Sequence, residues 1–275
     1  MGKGARTPRN AYGAKQMTNR PQKKRLDQLL VERGLADTRA QAQALVMAGR
    51  VIGYSKAGQQ VAEDAEIEVT AKAPFVSRGG EKLAHALDAL EVDPAGKDCL
   101  DVGASTGGFS DCLLQRGARR VIALDVGYGQ LASKLRDDAR VTVLERVNAR
   151  ELKELPFAPD LIVCDVSFIS LRLVLPPALA LAAPGWQALV LVKPQFEAGK
   201  EEVGKGGVIR DPEIRARVVR EVAEASLHWH ARVAGVVDSG LPGPKGNREI
   251  FIHLINDAEP SLPSQLEEWI CDATK

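Results

Sequence analysis

Short apolar runs alternate with longer amphipathic stretches over most of the chain. From about residue 97 onward these runs are four to six residues long, the length of a buried strand, and helical stretches such as Pro212–Leu227 lie between most of them. Strands that alternate with helices are typical of a mostly parallel sheet covered on both faces, so this part is predicted to be an α/β domain. The predicted strands are Cys99–Val102, Val121–Leu124, Val141–Leu144, Leu161–Cys164, Ala188–Val192, Val233–Val237 and Ile250–Ile255.

The connection before the last strand differs from the others. A Gly- and Pro-containing segment leads into Ile250–Ile255 and leaves no room for a crossover helix. Parallel neighbours need such a crossover, so Ile250–Ile255 is predicted to lie antiparallel beside its predecessor, Val233–Val237. A further helix is predicted ahead of the sheet, over Arg78–Leu90.

The first part of the chain has another pattern. Apolar residues at helical spacing predict a helix that begins after Arg25 and ends at Gly34, then a second helix capped by Thr38. Short strand candidates follow at Val51–Ile52, Gln60–Val61 and Ile67–Val69. The pattern therefore predicts a small α+β domain over residues 25–72, which is of a size suited to an RNA-binding module.

Charge divides the chain unevenly. The formal net charge is +1, yet residues 1–25 hold eight basic side chains and no acidic one, which leaves the other 250 residues at −7. A basic arm on an acidic body points to nucleic acid or an anionic surface. We expect a flexible basic arm at 1–24, the small domain at 25–72, a linker at 73–77, the α/β domain at 78–256 and a C-terminal extension at 257–275.

Composition narrows the possible kinds of protein and of site further. The four cysteines show no C-x-x-C spacing and only four histidines are present, so we expect reduced core cysteines, a cytoplasmic protein and no metal site. The 20 residues from Leu173 to Val192 carry no charge and match the length of a membrane span. Prolines and a glycine interrupt them, so a helix, a turn and a buried strand are predicted there, and no membrane association.

The strongest local signal is the glycine-rich segment Leu100–Ser110, in which a buried strand runs into a turn and then a helix. It is neither a Walker loop nor a strict G-x-G-x-x-G. Asp125 ends the next strand and suits the ribose hydroxyls of an adenosine, while Asp101 could support a cationic end of the ligand. These features favour S-adenosylmethionine over NAD, and a plain glycine turn is the alternative. The predicted cofactor-binding residues are Asp101, Gly103, Ser105, Gly107, Gly108, Phe109, Asp125 and Asn148.

Two charged residues follow apolar strands directly. Asp165 comes after Leu161–Cys164 and Lys193 after Ala188–Val192. Open α/β sheets build their sites at the carboxyl ends of strands, so both are candidates for catalysis. For either one alone, a solvated strand end is an equally good interpretation.

Several motifs resemble known families. The segment Arg25–Gly34, with Thr38-Arg39 and Gly49–Val51, resembles the ribosomal-S4-type RNA-binding domain. Five later segments, in the same order, resemble the TlyA (haemolysin A) family. They are Ser77–Leu83, Asp101–Phe109, Asp165–Leu171, Lys193–Glu197 and Gly246–Glu249. The likeness covers nearly the whole chain, from Arg25 to Ile255.

The resemblance implies a Rossmann-like, S-adenosylmethionine-dependent methyltransferase sheet with a small N-terminal S4-like domain. It also implies ribose 2′-O-methylation of ribosomal RNA, most often at cytidine, by a Lys-Asp-Lys-Glu tetrad at Lys82, Asp165, Lys193 and Glu249. Lys193 is expected to deprotonate or orient the 2′-hydroxyl and Asp165 to position Lys193, while Lys82 and Glu249 hold the ribose and tune the charge. The partner is then ribosomal RNA or a ribosomal subunit, with oligomeric state left open. The candidate phosphate contacts are Arg25, Arg39, Arg50, Lys56 and Arg78.

Other functions stay open. A non-catalytic RNA-binding or ribosome-assembly factor could keep this fold, although the intact tetrad speaks against it. A pore-forming haemolysin would need an uninterrupted membrane span, which this sequence lacks. A pseudouridine synthase would not need the glycine-rich loop at Gly103. The charged segment Lys200–Gly207 is interpreted either as a mobile lid or as a surface loop.

Overall fold

A computed structural model describes residue 1 and residues 23–36, 38–47, 50–70, 74–204, 206–243, 245–257 and 259–275. The predicted basic arm lies outside these residues except for Met1, Lys23 and Lys24. The chain divides after residue 72 into two compact units.

The first unit contains two helices and a two-stranded sheet. Strand β1 pairs antiparallel with β2, and apolar residues of both helices, such as Leu26, Leu30 and Val46, form its core. The elements are β1 (Lys23–Arg25), α1 (Leu26–Glu32), α2 (Arg39–Met47) and β2 (Gln60–Ala62).

The strand predictions for this unit were partly wrong. Lys23 and Lys24, assigned to the arm, lie in β1, because their backbones pair with β2 while basic side chains stay at the surface. Strands predicted at Val51–Ile52 and Ile67–Val69 are reduced to one antiparallel bridge between Val51 and Val69. The chain turns away at once through Gly53, whose φ is +77°.

The second unit is built on a seven-stranded sheet in the order β5-β4-β3-β6-β7-β9-β8. The first five strands of that order are parallel. Strand β9 is antiparallel to β8, as predicted, and also to β7. The strands are β3 (Asp98–Val102), β4 (Arg120–Asp125), β5 (Val141–Glu145), β6 (Leu161–Cys164), β7 (Gln187–Val192), β8 (Ala231–Asp238) and β9 (Ile250–Asn256). All seven predicted strands are therefore present, and their ends agree within two residues.

Helices cover both faces of this sheet. They are α3 (Arg78–Ala89), α4 (Gly108–Gln115), α5 (Ser133–Arg136), α6 (Leu171–Leu179), α7 (Pro194–Glu197), α8 (Pro212–Ser226) and α9 (Leu266–Thr274). Alternate residues of a strand enter opposite core layers: Leu100 packs in the layer that contains α6 and α8, and Cys99 packs in the layer that contains α3 and α4. Burial on both faces explains why these strands are continuous apolar runs in the sequence.

The ends of the second unit are part of its packing. Phe75, in the predicted linker, contacts Gly80 and the core layer beneath α3. Leu266 and Ile270 of α9 are buried in the opposite layer, so the predicted C-terminal extension contributes to the core of this unit.

The uncharged segment Leu173–Val192 has the predicted form, with part of α6, a turn and then β7. Within the residues that the structure describes, no helix is both long enough and apolar enough to cross a membrane.

The turn between β3 and α4 is confined by two side chains, that of Leu135 in α5 and that of Leu131 just before α5. Gly107 is the N-cap residue of α4 and has a φ of +92°, the left-handed region that favours glycine. A Cβ atom there would lie 2.2 Å from Leu135 Cδ1 and 2.8 Å from Leu131 Cδ1. Both leucines are buried, so neither can move freely away.

We expect Gly107→Ala to lower the free energy of unfolding by roughly 2–4 kcal/mol, since backbone strain and overpacking add. Gly129→Ala is the matched control, because Gly129 also has a positive φ of +71° but open space around it. Gly129→Ala should lower the free energy of unfolding through backbone strain alone, by about 1–2 kcal/mol. Urea unfolding of both variants measures the difference, and equal losses would contradict the packing argument.

Candidate active site

A cavity of about 760 Å³ opens at the carboxyl ends of β3, β6 and β7. That volume lies within the range of small-molecule sites. The strands bring Asp101, Asp165 and Lys193 to its wall, since Asp101 is the second-last residue of β3 and the other two directly follow β6 and β7. This is the edge at which open α/β sheets bind ligands.

Four charged residues of the predicted tetrad all line this cavity. Lys82 projects from α3 and pairs with Glu249, which immediately precedes β9. Lys193 forms an ion pair with Asp165 and donates a hydrogen bond to Ser167 Oγ at 2.9 Å. Two amines and two carboxylates from distant parts of the sequence thus meet as two ion pairs.

Burial differs from the sequence-based expectation for Lys82. On pattern alone it is an ordinary surface residue of a helix, yet it is only 7% exposed, and Glu249 is 2% exposed. A buried charge without a partner is costly, so each of these side chains depends on the other.

Asp101 is fully buried beneath the glycine-rich turn. Its Oδ2 accepts hydrogen bonds from the Ser110 backbone N–H at 2.9 Å and the Ser110 hydroxyl at 2.7 Å. Its Oδ1 is buried and has no hydrogen-bond partner among the described residues. Burial raises the pKa of Asp101 to about 7, and the nearby Asp165 and Asp125 charges add to this effect. The free oxygen is therefore suited to a cationic hydrogen-bond donor.

The glycines of the turn make room for other parts of the protein. A Cβ atom at Gly103 would lie 2.6 Å from the Asp165 carbonyl oxygen, and one at Gly108 would lie 2.1 Å from Ser77 Oγ. These contacts let the segments that carry Asp165 and Ser77 approach the turn closely. The sequence pattern had predicted only that these glycines bind the cofactor.

Five of the eight predicted cofactor residues line the cavity: Asp101, Gly103, Ser105, Gly108 and Phe109. Gly107, Asp125 and Asn148 lie outside the lining.

Asp125 and Asn148 both make local hydrogen bonds. Asp125 accepts from the Ser105 N–H at 2.7 Å and the Gly127 N–H at 2.6 Å. Asn148 accepts from the Arg150 N–H at 3.2 Å and caps a short 3₁₀ turn.

The predicted RNA contacts lie in both units. Arg78 lines the cavity and donates to the Pro242 carbonyl at 3.1 Å. In the first unit, Arg25 and Arg39 both donate to the buried Asp27. The hydrogen bond from Arg25, with help from Gln43 and Arg39, holds the pKa of Asp27 well below its usual range.

Two further predicted RNA contacts belong to the first unit. Arg50 donates to the Thr70 carbonyl at 2.6 Å, and Lys56 is exposed. In the second unit, Arg78 lies at the candidate active site.

Two aromatic residues of the site were missed. Phe168 and Phe196 line the cavity with their ring centroids 4.8 Å apart. Phe168 is 90% exposed and its φ is +65°, a strained conformation for a bulky residue. A signal was available, because each phenylalanine follows a strand-end tetrad residue by three positions.

Part of the segment Lys200–Gly207 forms a wall of the cavity. Val203 and Gly207 line it. Asn247 donates to the Gly207 carbonyl at 2.8 Å and accepts from the Ile209 N–H at 2.9 Å. The segment is therefore tied to the loop that leads into Glu249.

Comparison with known proteins places the chain in a class. Residues 75–256 match the FtsJ-like methyltransferase family, and residues 24–52 match the S4 domain. The fold and these matches define an FtsJ-like methyltransferase unit with an N-terminal S4 domain.

Comparison with individual relatives shows to which family the chain belongs. The chain is 47% identical over 251 residues to the 16S/23S rRNA (cytidine-2′-O)-methyltransferase TlyA of Mycobacterium tuberculosis, covering 88% of this chain and 93% of the relative. It is 38% identical over 187 residues to the 23S rRNA (cytidine-2′-O)-methyltransferase TlyA of Campylobacter jejuni, covering 66% and 72%. A solved structure from Streptococcus thermophilus, named as a hemolysin, shares 38% identity with a TM-score of 0.70, covering 91% and 95%. The chain belongs to the TlyA family.

The raised pKa of Asp101 predicts a sign for pH dependence. A carboxyl whose folded pKa is raised contributes stability that is full below its unfolded value near 4 and is lost as pH rises through about 7. Asp101→Asn should therefore gain stability relative to the unchanged protein between pH 5 and 7, by at most about 1.4 kcal/mol per pH unit. Urea unfolding at several pH values measures this difference.

Asp98→Asn provides the matched control in the same strand. Hydrogen bonds from Arg119 and Arg120 hold the pKa of Asp98 below its usual range, so this variant should lose stability at neutral pH. Parallel stability curves for Asp101→Asn and the unchanged protein would refute the assignment for Asp101.

Proposed function

We propose that this chain transfers a methyl group from S-adenosylmethionine to a ribose 2′-hydroxyl of ribosomal RNA, at a cytidine, in the cytoplasm. The observation that carries the proposal is the convergence of Lys82, Asp165, Lys193 and Glu249 in one cavity beside the glycine-rich turn. The printed activities of the Mycobacterium and Campylobacter relatives support the substrate class.

The cavity has features that fit this cofactor. S-adenosylmethionine, when bound, supplies a methyl group attached to a positively charged sulfur, and that sulfur is left as a neutral thioether once the methyl group is transferred. Asp101 Oδ1, buried and without a partner among the described residues, would accept a hydrogen bond from the amino group. Asp125 is assigned to the ribose hydroxyls and Asn148 to the adenine edge.

Lys193 is assigned to the nucleophile. Its Nζ contacts Asp165 and Ser167, and an ammonium group has a third donor with which to hold the 2′-oxygen. Orientation of this kind can supply several kcal/mol of barrier lowering. The hydroxyl becomes strongly acidic once the new oxygen–carbon bond begins to form, and the Asp165 carboxylate is assigned to receive its proton.

Lys82 and Glu249 are assigned to the ribose and to the balance of charge. Two amines and two carboxylates carry no formal net charge together. A cationic cofactor therefore meets no net repulsion from the tetrad, and an ionised Asp101 adds attraction.

The two phenylalanines are assigned to the target base. Phe168 and Phe196 present aromatic surface at the cavity, and base–aromatic stacking contributes about 1–3 kcal/mol per base. An enzyme that modifies a nucleotide inside an RNA helix must first take that nucleotide out of the stack. A splayed cytidine could rest its base on Phe168 while Lys193 holds its sugar.

The S4 unit is assigned to the RNA backbone. Arg39 and Lys56 are exposed and offer positive charge at its surface. Contacts of this type position RNA without reading its sequence. Binding through them should weaken steeply as salt concentration rises.

We expect Lys193→Ala to lower methyl transfer to ribosomal subunits by at least about 100-fold, because the 2′-oxygen loses its orienting group. Incorporation of tritiated methyl groups from S-adenosylmethionine measures this. Lys153→Ala, at an exposed lysine of the same unit, is the matched control and should retain full activity. Equal incorporation by both variants would reject the role of Lys193, and an inactive unchanged protein that still binds RNA would favour a non-catalytic assembly factor.

Phe168→Ala should weaken RNA binding by roughly 10-fold, in line with the loss of one stacked base, and leave the cofactor dissociation constant within about twofold. RNA affinity measured by filter binding and cofactor affinity measured by calorimetry separate the two effects. Unchanged RNA affinity would remove Phe168 from the base site. Because Phe168 is exposed, the substitution should not reduce the melting temperature.

A further inference from the structure

A buried carboxylate outside the cavity lining joins the segments that carry Asp165 and Lys193. Glu197, the last residue of α7, is 8% exposed. Its Oε2 accepts a hydrogen bond from the Ser170 hydroxyl at 2.6 Å, and its Oε1 accepts one from the Leu171 N–H at 2.7 Å. Both donors lie at the start of α6, so one carboxylate bridges α6 and α7.

The bridge lies a few residues from each strand-end tetrad member. Lys193 is the N-cap residue of α7, and the Asp165–Ser170 segment connects β6 to α6. The segment from Asp165 to Ser170 and the segment from Lys193 to Glu197 therefore contact each other at three places. The ion pair of Lys193 with Asp165 lies at the cavity, and the rings of Phe168 and Phe196 pack against each other beside it. The third contact is the hydrogen bond from the Ser170 hydroxyl to Glu197.

Capping α6 does not by itself explain this carboxylate. The Ser170 side chain already accepts the Arg172 N–H as the N-cap of α6. A buried carboxylate carries a large desolvation cost, and its nearest cation, Arg172, is 3.8 Å away.

The segment that Glu197 holds is also strained. Phe168 keeps a φ of +65°, which persists only where surrounding contacts impose it. A bridge to α7 on the far side of Phe168 supplies such a contact.

We propose that Glu197 is a positioning residue for methyl transfer, which acts through Ser170 and Leu171 to hold Asp165 and Phe168 in register with Lys193 and Phe196. The inference rests on the proposed function. It assigns Glu197 no contact with cofactor or RNA.

The test compares Glu197→Ala and Glu197→Gln. At saturating RNA and S-adenosylmethionine, the alanine variant should lower the single-turnover rate constant by about 10- to 100-fold, as expected for a misplaced catalytic group. Its cofactor dissociation constant should stay within about twofold, because Glu197 does not line the cavity. The glutamine variant should keep its rate within about threefold, since its amide can accept from the Leu171 N–H and donate to Ser170 Oγ. Glu224→Ala and Glu224→Gln, at an exposed position of α8, are the matched controls.

Hydrogen exchange provides a readout that does not depend on activity. Amide exchange over residues 165–171 should accelerate at least about 10-fold in Glu197→Ala and should not change in Glu224→Ala. Unchanged exchange would overturn the bridge whether or not the unchanged protein methylates RNA. If exchange accelerates in Glu197→Ala but the unchanged protein transfers no methyl group to any ribosomal RNA, the proposed function is contradicted and the bridge is supported.

Two results would overturn the positioning role. One is an alanine variant with a lower melting temperature but a single-turnover rate constant within twofold of the unchanged protein, which is the behaviour of a helix cap alone. If Glu197→Ala does not fold, Ser170→Ala replaces it, because the bond from the Leu171 N–H then remains. The single-turnover rate constant of Ser170→Ala should fall by about 3- to 10-fold. An unchanged rate constant in Ser170→Ala is the second result that would overturn the positioning role.

Discussion

The site depends on the mutual neutralisation of opposite charges at one edge of a sheet. Lys82 and Glu249 are buried as a pair, and Lys193 and Asp165 form a second pair in the same cavity. The direction of β9 makes this possible. Because β9 is antiparallel to β7, Val192 lies opposite Ile250, and Glu249 at the amino end of β9 reaches the carboxyl ends of the parallel strands. A parallel last strand would place that carboxylate at the opposite edge.

The glycine-rich turn serves this same convergence. Gly103 and Gly108 lack the Cβ atoms that would collide with the Asp165 carbonyl oxygen and with Ser77 Oγ. The turn that borders the proposed cofactor position is thus also what allows the Asp165 segment and the start of α3 to close around it. The proposed cofactor position and the tetrad are thus packed against each other, so a substitution in the turn should disturb both.

Local pattern predicted the parts of the structure that local physics determines. The seven strands followed from apolar runs, because both faces of the sheet are buried, and Asp165 and Lys193 followed from their positions at strand ends. Lys82 and Glu249 came only from the family resemblance. Their pairing joins residues 167 positions apart, and no periodicity encodes it. Strand β1 was missed because its backbone pairs with β2 while its basic side chains look like those of an unstructured arm.

The two ion pairs differ in a way that bears on their roles. The side chains of Lys82 and Glu249 are 9% and 2% exposed, whereas those of Lys193 and Asp165 are 11% and 24% exposed. Opening a deeply buried pair to admit a substrate would leave charges without partners, and that costs several kcal/mol. Asp165 is the most exposed of the four side chains, so its pair with Lys193 can exchange one contact for a sugar hydroxyl at a smaller cost. This contrast favours Lys193 and Asp165 as the groups that meet the nucleophile, with Lys82 and Glu249 as the fixed wall against which the sugar rests.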